Sequence, residues 1–403
     1  MKIAIIGGGI AGLSFALALR QRGLACRVYE AAPEVKELGV GITLLPHGMR
    51  EFIALGLEPR LRAVAIENQE SVFFNRYGQF IYKEPRGKYA GYPFPELGIH
   101  RGKLHRILYE AAADMVELDR KCERVEQDAS CVEVIFRNSS VTAEIAIACD
   151  GINSTVRRQF YPDEKVAFAG INTWRGVTRR QPILGGRTYL RVGSIETGKI
   201  VIYPIVDDVD GRGNQLVNWM AEIRQPNVTM NDWNRKGDLK DFHRLYADWR
   251  FDWLDVAQMI AEAEMILEYP MVDKDPVARW TFGRVSLMGD AAHPMYPRGS
   301  NGSAQAVIDA RTLADFLKAM DPVGALKAYE TARLEPTAKV VRTNREFPPD
   351  FINIKVDQLT GGKPFRHIDD VISQEELRRI SEEYKKVAGF SLEVLSDSTR
   401  GAR

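Results

Sequence analysis

The 403-residue chain carries 55 Lys and Arg against 54 Asp and Glu, a formal net charge of +1, so no charge excess draws it to nucleic acid or another polyanion. Its length predicts two or three cores rather than one, and 45% hydrophobic with 27% charged residues is the balance of an ordinary globular protein. No stretch reaches the ~20 apolar residues of a transmembrane helix. Cys26, Cys122, Cys131 and Cys149 form neither a C-x-x-C pair nor a zinc-ligand spacing, so they read as reduced thiols of a cytoplasmic chain.

Residues 2–6 (Lys-Ile-Ala-Ile-Ile) read as a buried parallel strand. Gly7-Gly8-Gly9-Ile10-Ala11-Gly12 follows and fits G-x-G-x-x-G. Helical periodicity then runs over residues 13–22 and stops at Gly23, and residues 26–29 read as a second strand ending at Glu30. Lys2 and Ala16-Leu17-Ala18 imitate a secretory signal, but the glycines between 7 and 12 and the acid at Glu30 argue against one.

Each piece of this unit has a physical reason. Gly7 makes the tight turn, Gly9 lets the backbone approach a pyrophosphate, and Gly12 lets the helix pack on the strand. The helix N-terminus offers free N–H groups to phosphates, and Glu30 is placed to accept from a ribose. Strand, loop, helix, strand and acid within thirty residues predict a dinucleotide site without separating FAD from NAD.

Two later strand-to-loop junctions carry similar information. Residues 145–148 run into Cys149-Asp150-Gly151-Ile152-Asn153-Ser154-Thr155-Val156-Arg157. Residues 285–288 run into Gly289-Asp290-Ala291-Ala292-His293-Pro294, then Gly299-Ser300-Asn301-Gly302-Ser303. Alone, Asp-Gly is a turn and Gly-Asp a helix cap. In this order behind the first unit, the three motifs resemble the aromatic-ring flavoprotein monooxygenases typified by para-hydroxybenzoate and salicylate hydroxylases.

The resemblance spans about residues 1–345. It implies an α/β fold: a Rossmann-like FAD-binding domain of the para-hydroxybenzoate hydroxylase type, a β-sheet substrate domain and a C-terminal helical segment. The FAD-binding part is expected at 1–72, 98–163 and 281–345, the substrate part at 73–97 and 164–280, and the extension at 346–403. The cofactor implied is FAD, with NADH or NADPH as co-substrate. Gly7, Gly9, Gly12 and Glu30 would hold its ADP half, Asp290 the ribityl chain, and the backbone at Asn301 and Gly302 the flavin pyrimidine edge. Asp150 and Gly151 would serve both FAD and NAD(P)H, and Arg101 and Gly41 would border the flavin. His293 is expected to position rather than react.

Further segments are similar to those of the phenazine-carboxylate-hydroxylating members: residues 38–42, 174–178, 217–219, 232–235, 269–273 and 295–297. The reaction implied is hydroxylation of an aromatic or heteroaromatic acid or phenol, with or without decarboxylation, through a flavin C4a-hydroperoxide. The partners implied are a small aromatic substrate and dioxygen, with no nucleic acid and no membrane, in a monomer or homodimer.

Alternation over residues 199–203 puts Lys199, Val201 and Tyr203 on one strand face. Some relatives carry His and Tyr at this spacing to activate a phenol. With Lys199 in place of His, the pair reads instead as an anion site beside a tyrosine, both as catalytic candidates. Arg175 and Arg298 are the next cations if Lys199 does not serve. Trp174, Trp219, Tyr296 and Pro297 are candidate walls of an aromatic pocket, although large aromatics are commonly just core. Pro348-Pro349 ends the preceding helix, and Ser373 with Glu376 forms a capping box for a helix showing Leu377, Ile380, Tyr384 and Val387 on one face. The last residues from Ser396 read as frayed. Three other readings stay open: a flavin reductase or dehydrogenase without oxygen insertion, a non-catalytic flavoprotein sensor, and a dehydrogenase using NAD alone.

Overall fold

The computed structural model describes residues 1–36, 39–225 and 235–395. Leu38, residues 232–234 of the fourth similar segment and the tail from Ser396 lie outside them.

Strand Ile3–Ile6 lies near the middle of a six-stranded sheet, between Ile145–Ala148 on one side and Cys26–Tyr29 on the other. Both pairings are parallel, and Val285–Leu287 extends the sheet beyond Ile145–Ala148. All four residues of Ile3–Ile6 are buried, as a strand covered on both faces requires. The chain leaves this strand toward one neighbour and returns on the other, so a crevice opens at its C-terminal end. The glycine loop occupies that end. The first helix, Ile10–Gln21, begins three residues before the periodicity suggested, because the apolar pattern only becomes regular after Gly12.

A second, eight-stranded sheet is built mainly from residues 167–273, with strands Glu70–Phe74 and Phe80–Pro85 on one edge. Glu70–Phe74 pairs parallel with Thr188–Ser194 and crosses the boundary expected between residues 72 and 73. Strand Gly198–Val206 shows the period of two that decides its two faces. Ile200 and Ile202 pack with Trp174, Trp219 and Trp249 on one side. Val201, Tyr203 and Ile205 pack with Val40 and Tyr189 on the other.

The C-terminal segment closes on this second sheet. Ile352, Val356 and Leu377 share a buried cluster with Phe73, Ile81 and Tyr82. The Ser373 half of the capping box forms at helix Gln374–Val387, where the Glu376 N–H donates to Ser373 Oγ at 3.2 Å. No helix of the described residues is long and apolar enough to cross a membrane.

A buried ionic cluster ties the segment down. Lys199 Nζ lies 2.6 Å from Glu222 Oε2, its cross-strand neighbour, and 3.1 Å from Asp350 Oδ2. Arg298 donates to the same Asp350 oxygen at 2.8 Å. Burial alone would raise the Asp350 carboxyl, but Lys199 and Arg298 hold it well below the usual carboxylate range. The stability this group contributes is full at neutral pH and is lost as pH falls below about 4.

Lys199→Met leaves two buried carboxylates short of a partner and should cost about 3–5 kcal/mol in urea unfolding at pH 7. The deficit should shrink on acidification, since a carboxyl left unpaired can protonate. An unchanged unfolding midpoint would show that the cluster is dispensable.

Candidate active site

The glycine loop does with backbone what the sequence demands of it. Gly7 adopts φ +104° against the Cys149 carbonyl, and a Cβ on Gly12 would overlap the Gly7 carbonyl oxygen, so helix and strand meet backbone to backbone. A Cβ on Gly9 would meet nothing within 4 Å. The protein thus leaves free space at Gly9 beside the first helical N–H groups, where a pyrophosphate would approach. Glu30 accepts from the loop with one carboxylate oxygen (the Gly8 N–H, 2.6 Å) and from its own segment with the other (the Ala32 N–H, 2.8 Å). Its side chain still borders open space on either side of the loop.

Three cavities meet at Gly9. One of about 370 Å³ runs along Glu30, Arg101 and His105. Another of about 370 Å³ runs along Glu30, Asp150 and Gly151. The third, about 330 Å³, lies between the loop and the eight-stranded sheet, with Arg101, Asp290 and Gly302 in its walls. Their shared borders make one long groove, of the shape a dinucleotide needs.

Two carboxylates facing this groove keep an oxygen free of any partner among the described residues. Asp150 Oδ2 accepts from the Thr155 N–H at 2.8 Å, at the start of helix Thr155–Phe160, but its buried Oδ1 has no partner. A buried acceptor left open beside a cavity fits a ligand hydroxyl. Desolvation raises the Asp150 carboxyl, opposed by its hydrogen bonds. Asp290 opens into the third cavity and forms no hydrogen bond with the described residues. Its turn, Gly289–Ala291, has no side-chain cap, so the capping alternative for Asp290 falls. Desolvation raises its carboxyl too, opposed by His293 and Arg101. His293 itself is held by Asp309 at 2.5 Å under helix Gly302–Ala319, a positioning arrangement rather than a reactive one.

Gly302 opens that helix toward the cavity. Asn301 turns its side chain away, into the protein, and only its backbone is left for a ligand. Gly41 lines the cavity and gives its N–H to Asn218 Oδ1 at 2.7 Å. A Cβ there would press on Asn218 and Ile205. Cys149 also borders the groove, but burial pushes its thiol well above the ordinary value, so no thiolate nucleophile forms.

The substrate-side expectations divide. Tyr203, Tyr296 and Pro297 line the third cavity. Trp174 and Trp219 do not. They sit on the opposite face of the sheet, stacked on and tilted against Phe242, with Trp219 Nε1 donating to Thr178 Oγ1 at 3.0 Å. The register explains this: Trp219 pairs with Ile202, whose side chain faces away from the cavity, whereas Asn218 pairs with Tyr203 and shares its face. Lys199 is also overturned as an anion site. It is 3% exposed, outside the cavity wall, and already neutralised by Glu222 and Asp350. Arg298 is taken by Asp350 in the same way.

The sheet instead presents Arg175, Asn218, Met220 and Tyr189 to the cavity beside Tyr203. Tyr189 and Tyr203 stack with ring centroids 4.9 Å apart. Alternation could have found Asn218 and Arg175, since each is the neighbour of a tryptophan that faces the core. Met220, the other neighbour of Trp219, carries the same signal, whereas Tyr189 required the strand register. Arg175 forms no ion pair with the described residues, its Nε is buried without a partner, and its guanidinium lies 5.7 Å from the Tyr269 ring centroid. Burial raises the Tyr203 hydroxyl well above its ordinary range, so its proton stays on.

Gly9→Val places a branched side chain in empty space, so the variant should fold and purify without flavin colour; full FAD occupancy would remove the loop from the site. Asp290→Ala should weaken FAD about tenfold to a hundredfold in a fluorescence titration, the loss of a charge-assisted hydrogen bond. An unchanged dissociation constant would place the ribityl chain elsewhere.

The family described as FAD binding domain matches residues 1–344. The phenazine 1,6-dicarboxylic acid hydroxylase PhzS of Lysobacter antibioticus is 37% identical, over 85% of this chain and 89% of its own. The 3-amino-4-hydroxybenzoate 2-monooxygenase of Streptomyces cremeus is 33% identical, over 87% of this chain and 88% of its own. Among solved structures, Klebsiella pneumoniae HpxO complexed with FAD and uric acid aligns with a TM-score of 0.78 at 23% identity, covering 98% of this chain and 96% of that one, a likeness of fold. The chain belongs to the FAD-binding-domain family of aromatic flavoprotein hydroxylases, and FAD is its cofactor.

Proposed function

We propose that the protein hydroxylates a ring bearing a carboxylate, consuming NADH or NADPH and dioxygen, with the ring held in the cavity between the glycine loop and the eight-stranded sheet. The observation that carries this reading is the Arg175 guanidinium in the cavity wall, set among aromatic side chains, with no ion pair among the described residues and its Nε buried without a partner. Two relatives support it by name, one hydroxylating a phenazine dicarboxylic acid and one an amino-hydroxybenzoate.

When bound, the flavin supplies the redox and oxygen-transfer chemistry. The chain's own residues orient and enclose. Arg175 anchors the carboxylate through a planar, two-pronged donor. Tyr189, Tyr203, Met220 and Tyr296 form apolar walls that hold the ring and exclude water. Tyr203, with its proton retained, acts as a neutral hydrogen-bonding group toward a ring substituent. No histidine stands at position 199, and the lysine there is sealed in an ionic cluster, so the strand provides no base to deprotonate a phenol. Substrates whose rings are already electron-rich without such help fit best.

A panel of benzoic, nicotinic and phenazine carboxylic acids, screened for stimulated NAD(P)H oxidation with products weighed by mass spectrometry, should give an acid that gains one oxygen atom. Stimulation without oxygen incorporation across the panel would argue for a reductase. Arg175→Met should weaken the acid about tenfold to a hundredfold in flavin difference spectra. It should leave FAD content and the binding of the matching carboxamide unchanged. Equal loss for acid and amide would remove Arg175 from carboxylate binding.

A further inference from the structure

Four buried side chains from four separate parts of the chain join in one line behind the loop that opens helix Gly302–Ala319. Asn301 Nδ2 donates to the Tyr384 hydroxyl at 2.7 Å and to the Gly299 carbonyl at 3.3 Å. Gly299 O can only accept, which fixes which end of the Asn301 amide is nitrogen. Asn301 Oδ1 therefore faces His47 Nε2 at 3.1 Å, and His47 must carry its proton there. The Tyr384 hydroxyl passes its own hydrogen to Asn344 Oδ1 at 3.0 Å. His47, Asn301, Asn344 and Tyr384 are 1%, 1%, 0% and 6% exposed.

The line braces a strained turn. Gly299 has φ +88° and Ser300, which is not glycine, has φ +57°. Non-glycine residues adopt this region at a cost of about 1 kcal/mol or more and need surroundings that hold them. A Cβ at Gly299 would overlap the Tyr384 hydroxyl, so the turn and the tyrosine are fitted to each other. Ser300 and Gly302, on either side of Asn301, line the cavity. Phe390 stacks on His47 with centroids 5.0 Å apart and planes 2° apart, closing the brace from the C-terminal side.

We propose that Tyr384, on a C-terminal helix lying beyond residues 1–344, is a positioning residue for the flavin, acting through Asn301 to hold the Gly299–Ser300 turn and the start of helix Gly302–Ala319 against the cofactor. This rests on the reading that the backbone at Asn301 and Gly302 faces the flavin. A helix N-terminus stabilises negative charge, so an intact brace favours the anionic reduced flavin over the oxidised form. Burial keeps His47 neutral, with its pKa lowered to about 3, so the brace does not switch over the working pH range.

The experiment compares Tyr384→Phe, Asn301→Ala and the double variant as FAD-loaded proteins, reading FAD dissociation by fluorescence and the flavin midpoint potential by anaerobic dye titration. Tyr384→Phe should weaken oxidised FAD about tenfold and reduced FAD about a hundredfold. The tenfold difference lowers the two-electron potential by about 30 mV. The double variant should match Asn301→Ala alone, because the role proposed for the Tyr384 hydroxyl runs through Asn301. His47→Phe, which removes the other side-chain partner of Asn301, should shift both readouts the same way, so the brace can be judged even if Tyr384→Phe folds poorly. A wild-type potential in Tyr384→Phe beside a shifted Asn301→Ala, or additive shifts in the double variant, overturns the role of Tyr384. A wild-type potential in Asn301→Ala overturns the underlying placement of the flavin edge.

Discussion

Gly7 and Gly12 touch backbone to backbone, and the rest of the site depends on that approach. A side chain at either position would overlap the main chain of its neighbour, at Gly12 the Gly7 carbonyl and at Gly7 the Cys149 carbonyl. With both bare, the first helix starts directly at the end of strand Ile3–Ile6, and its free N–H groups face the crevice between the two neighbouring strands. Gly9 then stands in empty space at the meeting point of three cavities. A single methyl group at Gly12 would push the helix off the strand and move all of those N–H groups together.

The second sheet solves a different problem, that of presenting a mixed face to the cavity while fastening the charges that the ligand does not need. Its central strands alternate through residues 199–203 and 217–221. One face buries tryptophans in a hydrophobic core, and the other carries Arg175, Asn218 and Tyr203 toward the cavity. Lys199 lies on the cavity-facing side of its strand but beyond the cavity itself, where Glu222 and Asp350 enclose it. Losing one partner of such a group costs more than the pair gains, which makes the cluster a fastening rather than a reactive centre. Arg175 has no such carboxylate within the described residues, and that difference separates a structural cation from one available to a ligand.

Much of the cofactor half was legible in the sequence because its physics is local. Gly7, Gly9 and Gly12 act within one turn, and Asp150 and Asp290 follow directly from strands that the apolar runs reveal. The substrate half was legible only to its alternation. Residues 199–203 gave the right two faces, yet the identity of the ligand-facing residues depended on pairing across strands, which no local pattern encodes. Trp174 and Trp219 read as pocket walls because large aromatics suit both a core and a ring site. Their neighbours Arg175 and Asn218 in fact face the cavity, and the register of Trp219 with Ile202 decides it. Lys199 misled for the same reason: its partner Asp350 is 151 positions away and could not be foreseen. The capping box at Ser373 was visible, but the reach of Tyr384 to Asn301 was not, since nothing short-range connects them.

One measurement bears on the whole arrangement: a crystal structure of the protein with FAD and a ring acid that stimulates NAD(P)H oxidation. The expected result has the pyrophosphate over Gly9, the ribityl chain at Asp290 and the carboxylate within hydrogen-bonding distance of Arg175, about 2.7–2.9 Å from nitrogen to oxygen. A carboxylate bound away from Arg175, or a flavin ring outside the cavity that Tyr203 and Gly302 line, would contradict it.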